Sequence, residues 1–438
     1  MIKRLAVITV LLVVVGCSNN DSESGEQNER NDSQKLEDAV LDELDERTKI
    51  QLDVWAYYEE GWEYPIEEYQ SLNPDITLNV TTFTHDTYVN EYLKALVDND
   101  VPDVMIFENN QFATFTAVDG LENLAGEPYT LNEYYNDFSR TLWDMGLSID
   151  NEELIGLAYD SYPYVTYYRA DIMEEYGFPS DPDELGTFME DADNWLNMAG
   201  KLKEDHKWIV GWDVEILNIF DTTRGIFNQD LEFNRKDQLS QEAIRILQAV
   251  HERGLDSKMN IWDEQGLQAL KNDEIVMLQL GSWGSGLLYD MVPEQAGKWR
   301  VTRLPFNQYG LGHTSIISIP SASEKKEAAA DFLEYFVFER EKEGSIGPIS
   351  GYLPHRNDPK TINHENEFLG GQQDQRKYEQ IYDKIEEPKL TPLDEKANQI
   401  WYEMIYTGLE EDQEIEEILD SIEKKIQEQL GSEIDRLK

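Results

Sequence analysis

Side chains suited to holding a ligand recur at the ends of apolar runs. Residues 50–55 read as a buried strand, and Tyr57, Tyr58, Glu59 and Glu60 follow it. Residues 104–107 read as a short apolar strand, followed by Glu108, Asn109, Asn110 and Gln111. A third run, 208–212, includes Trp212 and ends at Asp213. A fourth, 275–280, leads into Gly281-Ser282-Trp283-Gly284. Each end sets carboxylates or amides, which make strong or paired hydrogen bonds, beside rings that can stack on an apolar face. The glycines around Trp283 would let a ligand approach the backbone. The plainer alternatives are a Trp283 that caps the core and loop residues that are simply solvated. With 89 Asp and Glu residues, a pair of carboxylates spaced for hydrolysis could always be imagined, so their presence does not point to catalysis. The six His residues lack metal-ligand spacing, and Cys17 is the only cysteine, which excludes an internal disulfide and a cysteine-based metal site. A Walker-A run is absent.

The elements that must position these groups follow from periodicity. After the first strand the pattern predicts a helix over 62–72, stopped by Asn73-Pro74, then an alternating strand over 76–82. A helix over 87–97 precedes the strand at 104–107. Strand, helix, strand, helix, strand is the pattern of a parallel α/β unit, in which ligands bind beyond the carboxyl ends of the strands. A second α/β unit is expected further on, with strands at 154–157 and 164–168 and helices at 184–202 and 240–253. Later come a weakly alternating strand at 314–319, an amphipathic helix at 325–338 and a final helix at 414–430.

The N-terminus has a different character. Lys3 and Arg4 precede an unbroken apolar run, residues 5–15, which is too short to span a bilayer and is built like a secretory signal. The run ends in Val14-Val15-Gly16-Cys17, which resembles the lipobox of bacterial lipoproteins; that resemblance implies a signal peptide over 1–16 and lipidation of Cys17. Residues 17–48 read as an acidic flexible tether, polar throughout residues 18–34. The formal charge of the chain is −52. Such a field repels nucleic acid and anionic lipid and disfavours a highly anionic ligand. A mean hydropathy of −0.60, with no second long apolar run, excludes a multi-spanning membrane protein.

From residue 50 onward the chain resembles the extracellular solute-binding proteins of ABC importers, in the sugar-binding branch typified by maltose-binding protein. The markers come in order: Leu72-Asn73-Pro74-Asp75-Ile76, Val101-Pro102-Asp103-Val104, the stretch from Leu154-Ile155-Gly156-Leu157 to Tyr159-Asp160, Tyr168-Arg169-Ala170-Asp171, Gly281-Ser282-Trp283, the return strand from His313 to Pro320, and Ala328-Ala329-Ala330-Asp331-Phe332-Leu333. The usual Tyr-Asn-Lys-Asp reads Tyr168-Arg169-Ala170-Asp171 here, and the first loop is rich in Tyr and Glu in place of small polar residues, so ligand identity does not transfer.

The resemblance implies a two-lobed α/β fold, periplasmic-binding-protein-like (type II), with the ligand in a cleft between lobes that close by a hinge. Lobe 1 would comprise 49–153 plus 314–342, and lobe 2 would comprise 154–313 plus 343–438, with crossings near 151–159, 311–314 and 341–347. It implies a binding protein without enzymatic activity or cofactor, acting as a monomer. Its partners would be a carbohydrate, two permease subunits and a separate ATPase, and it would be lipid-anchored outside a cell with one membrane. A sugar needs hydrogen bonds at its edge and rings on its faces. The ligand contacts expected are Tyr57, Glu59, Glu108, Asn110, Asp160, Tyr162, Trp212, Asp213, Trp283 and Tyr352. His313 is expected to make a structural hydrogen bond. An exported glycoside hydrolase, or the same fold with a non-sugar solute, remains the alternative.

Overall fold

A computed structural model describes residues 49–59, 61–340, 347–356, 358–386 and 389–438. The signal, Cys17 and the tether, and most of the crossing expected at 341–347, lie outside these residues. Among these described residues, those within 52–72 and 78–438 form one body. Residues 73–77 and the start of the first strand form a separate unit, in which the Ile76 amide donates to the Asn73 carbonyl (2.9 Å) and the Ile50 amide to the Asp75 carbonyl (2.8 Å).

The first α/β unit forms as its periodicity predicts. Strand β1 (Ile50–Ala56) buries Leu52, Val54 and Ala56, the alternate positions that face the core. The helix Glu63–Leu72, β2 (Ile76–Thr82) and the helix Tyr88–Asp98 lead to β3 (Val104–Glu108). Val104 to Phe107 are all buried, as expected of a strand covered on both faces. β3 runs parallel to β1, with Val54 opposite Val104.

Where two strands were expected at 154–157 and 164–168, one long strand forms. β4 (Leu157–Arg169) uses successive stretches to pair with different neighbours. Residues 157–163 pair antiparallel with β7 (Leu311–Ser318), which also pairs with β3. Residues 164–168 pair antiparallel with β5 (Met277–Gly281), and residues 166–169 with β6 (Trp299–Thr302). Asp160 and Ser161 also face β8 (Ile349–Ser350). The sheet therefore runs β2-β1-β3-β7-β4-β5 without interruption. Its register slips twice along β4, between Ala158 and Asp160 and between Tyr162 and Pro163. Proline lacks the N–H of a ladder bond and is tolerated at such irregularities.

A second apolar core is built on the far half of β4 from Tyr168, β5 and several helices. The helix Gln238–Arg253 contributes Ala243, Ile244, Ile246, Leu247 and Val250. The helix Asp394–Glu410 contributes Ala397, Ile400, Trp401 and Ile405, and the helix Ile415–Leu437 contributes Ile418, Leu419, Ile422, Ile426, Leu430 and Ile434. The helix expected at 184–202 is two, Pro182–Phe188 and Ala192–Lys203, the second started by Asp191, whose carboxylate accepts from the Asp193 and Asn194 amides. The strand expected at 208–212 reduces to one bridge, Trp208 with Ile275. Among the described residues, no helix is long and apolar enough to cross a membrane.

Candidate functional site

A cavity of about 740 Å³ opens over the middle of β4. Its lining includes Asp160 and Tyr162, which lie between the two register slips, and His313 and Ser315 from β7. Tyr162 and His313 stack, with ring centroids 4.2 Å apart and planes 19° from parallel. Burial depresses the affinity of His313 for a proton below its ordinary value, so the ring is neutral near pH 7. Asp160 is buried, and its Oδ2 lies 3.6 Å from Arg340 Nη2. Arg340 also lies over the Phe336 ring, 4.2 Å from the centroid. A carboxylate and a guanidinium within reach of one another thus face neutral rings.

The loop after β1 supplies Tyr57 and Tyr58. Tyr57 Oη is 2.9 Å from Ser315 Oγ, and Tyr58 Oη is 3.2 Å from Tyr159 Oη. Behind the cavity, Tyr58 stacks on Trp62 (5.3 Å) and Trp62 on Phe336 (5.5 Å), which fixes the loop. Burial pushes the Tyr58 hydroxyl up to about 12 and that of Tyr57 well above its usual value, so both stay protonated and able to donate.

Further lining comes from the end of β5 and the helix Gly284–Met291, which bring Trp283, Tyr289 and Asp290, together with Asn366 and Phe368. Tyr289 meets Phe368 edge-on at 6.1 Å. Gly281 has a packing role of its own. A Cβ there would come within 2.7 Å of Trp283 Cδ1, so the missing side chain makes room for the indole itself.

Of the residues expected to contact ligand, Tyr57, Asp160, Tyr162 and Trp283 come together in this cavity. Asn110 is exposed and lines a second cavity of about 310 Å³, with Asp221, Arg224 and Asn398 among its neighbours. Glu108 pairs with His85 Nε2 at 2.5 Å, a bond that raises the pKa of the imidazole. Glu59 is exposed in the loop after Tyr58. Trp212 is 41% exposed, with Lys258 Nζ 5.5 Å from its ring centroid. Asp213 accepts hydrogen bonds from Tyr406 Oη and pairs with His251 Nδ1, both at 2.8 Å. Burial pushes its pKa up, but these bonds and Lys258 outweigh that and hold the carboxyl below the usual range. Tyr352 packs edge-on against Phe338 and His355.

Sequence reasoning missed Tyr159, Tyr289, Asp290, Arg340, Asn366 and Phe368 as cavity residues, and His313 packs on Tyr162 in the cavity lining. Alternation along β7 offered one signal, since His313 and Ser315 share a strand face. Nothing local marks Arg340, Asn366 or Phe368, which come from far along the chain. Among the described residues, no group of three or more His, Cys, Asp or Glu side chains is arranged to hold a metal ion.

Solved structures with the same fold are numerous. The galacto-N-biose-/lacto-N-biose I-binding protein of an ABC transporter from Bifidobacterium longum, in complex with lacto-N-biose, superposes with a TM-score of 0.72 at 15% identity, covering 88% of this chain and 98% of that one. The ABC-transporter-associated binding protein of B. animalis subsp. lactis, in complex with β-1,6-galactobiose, gives 0.68 at 18% identity, covering 86% and 97%. Maltose-bound MalE3 of T. maritima gives 0.67 at 15% identity, covering 86% and 99%. At such identities the likeness is one of fold, the α/β fold of the two-lobed sugar-binding proteins. Comparison of the sequence with curated proteins yields no match. The family model for the bacterial extracellular solute-binding proteins matches residues 66–358. By that match across most of the body just described, the chain belongs to the bacterial extracellular solute-binding protein family.

Proposed function

We propose that this protein captures a carbohydrate outside the cell and delivers it, unaltered, to the permease subunits of an ABC importer. The observation that carries the reading is the composition of the large cavity. It sets Tyr57, Tyr58, Tyr162, Trp283 and Tyr289 around one carboxylate–guanidinium pair, Asp160 and Arg340. Rings offer faces to the C–H surfaces of a sugar, while Asp160 accepts and Arg340 and the tyrosine hydroxyls donate at its hydroxyl edge. The fold neighbours named above, which hold lacto-N-biose, β-1,6-galactobiose and maltose, support the same class of ligand.

In this reading the lobes divide as the sequence suggests, at 49–153 plus 314–342 and 154–313 plus 343–438, and the ligand steadies the closed form through contacts made to both. Cys17 carries the lipid that keeps the protein beside its permease, and a separate ATPase drives transport. Calorimetric titration with mono- and oligosaccharides tests the proposal, combined with chromatography of the recovered sugar. Saturable binding is expected near micromolar Kd, worth about −8 kcal/mol, with the sugar recovered intact. Trp283→Ala should weaken binding about tenfold or more. A protein that binds no saccharide defeats the carbohydrate assignment, and one that cleaves the sugar defeats the importer assignment.

A further inference from the structure

Trp262 does not line the cavity, and its role here rests on the carbohydrate reading above. Its ring is 59% exposed, yet its centroid lies 6.1 Å from that of Trp283, which does line the cavity. The two planes are inclined by 40°. A lone exposed aromatic is ordinary on a protein surface. Two features set this one apart.

The first is that the loop holding it is pinned. Ile261, the preceding residue, is buried. Asn260 Oδ1 accepts from the Trp262 amide (3.1 Å), and the Asn260 carbonyl accepts from the Asp263 amide (3.1 Å). Asp263 then caps the helix Glu264–Lys271 by accepting from the Gly266 amide (2.8 Å). The helix packs so closely on this loop that a Cβ at Gly266 would stand 2.8 Å from the Ile261 amide nitrogen. A short, braced loop therefore presents a large ring to water, when turning it inward would have removed apolar surface from solvent. The second feature is continuity, because the indole next to it already faces the cavity. The two rings form one aromatic ledge leading from inside the cavity to the open surface.

We infer that Trp262 is a stacking platform for the part of an oligosaccharide that projects from the cavity, so that the site takes a chain of three or more sugar units. A neutral glycan suits this lip, since the charge of −52 gives it no repulsion to overcome. Trp262 thereby sets preference by chain length, while the cavity residues hold the inner sugars.

The test uses two series of probes, maltose to maltotetraose and cellobiose to cellotetraose, titrated calorimetrically into the wild type, Trp262→Ala and Trp262→Tyr. In whichever series binds, the wild type should gain about three- to ten-fold in affinity on passing from the disaccharide to the longer chains. Trp262→Ala should lose that gain and keep the disaccharide affinity, which also shows that the variant is folded. Trp262→Tyr should restore part of it. Disaccharide binding with no gain for longer chains, or a gain that survives in Trp262→Ala, overturns the platform and leaves the carbohydrate reading standing. A wild type that binds neither series overturns the platform, and the wider saccharide panel above then judges the carbohydrate reading by itself.

Discussion

Asp160 and Asp213 are equally buried, each 5% exposed; the sequence offers Asp213 as a carboxylate at a strand end and Asp160 through the family resemblance. What separates them lies outside their local sequence. Asp213 is engaged by His251 and Tyr406, which arrive from helices far along the chain, whereas Asp160 is opposed by Arg340 in the lining of a cavity. Residue type and position on a strand cannot show which partners converge. Close to Asp213, Glu215 accepts from the Gly211 amide (3.0 Å) and the Trp212 amide (3.3 Å). Burial raises its carboxyl from the ordinary 4.5 to about 7. Between those values the folded state binds more protons than the unfolded one, so this group's contribution to stability falls as pH rises from about 4.5 to about 7. Glu215→Gln removes the titration. Thermal melts across that window should show a shallower decline in Tm for the variant than for the wild type, and parallel curves would show that Glu215 does not titrate there.

At the scale of elements, the first α/β unit was read almost whole, because its strands alternate or run apolar and its helices have clear stops. β4 was not: Asp160-Ser161 and Pro163 look like a break, and they are instead the irregular stretch of a single strand with different neighbours on either side. Two more helices also escaped: Asp374–Tyr382 is short and strongly polar, and Asp394–Glu410 carries a weaker apolar stripe than Ile415–Leu437. The junction of β5 with the helix Gly284–Met291 offers a direct test of how an element aims a side chain. Gly281→Ala forces the Trp283 ring away from its seat, and the strand beside it is also tight, with Gly281 Cα 2.9 Å from where a Cβ would stand on Gly312. Saccharide affinity should fall about tenfold, and stability by about 1–3 kcal/mol, as measured by titration and urea unfolding. Unchanged affinity would mean that the ring's position is immaterial to binding.

For the whole molecule, 89 acidic residues against 37 Lys and Arg set a repulsion that folding must overcome. Salt screens exposed charges, with a Debye length of about 10 Å at 0.1 M and about 3 Å at 1 M. Tm should therefore rise by more than about 3 °C between 0.05 and 1 M NaCl, and a flat or falling trend would show that the acidic groups are already balanced locally. This charge was plain from composition, as was the family from its ordered markers. The cavity was only partly legible, because Arg340, Asn366 and Phe368 reach it through the return of the chain and not through any local pattern.

The uninterrupted sheet has a mechanical corollary. If one half of it turns against the other, β4 is a shaft shared by both, and the two register slips are where that shaft is weakest in torsion. Asp160 and Tyr162 sit between the slips, so in such a turn they would travel little. A ligand gripped between the slips would then be held where the two halves of the sheet move least against one another.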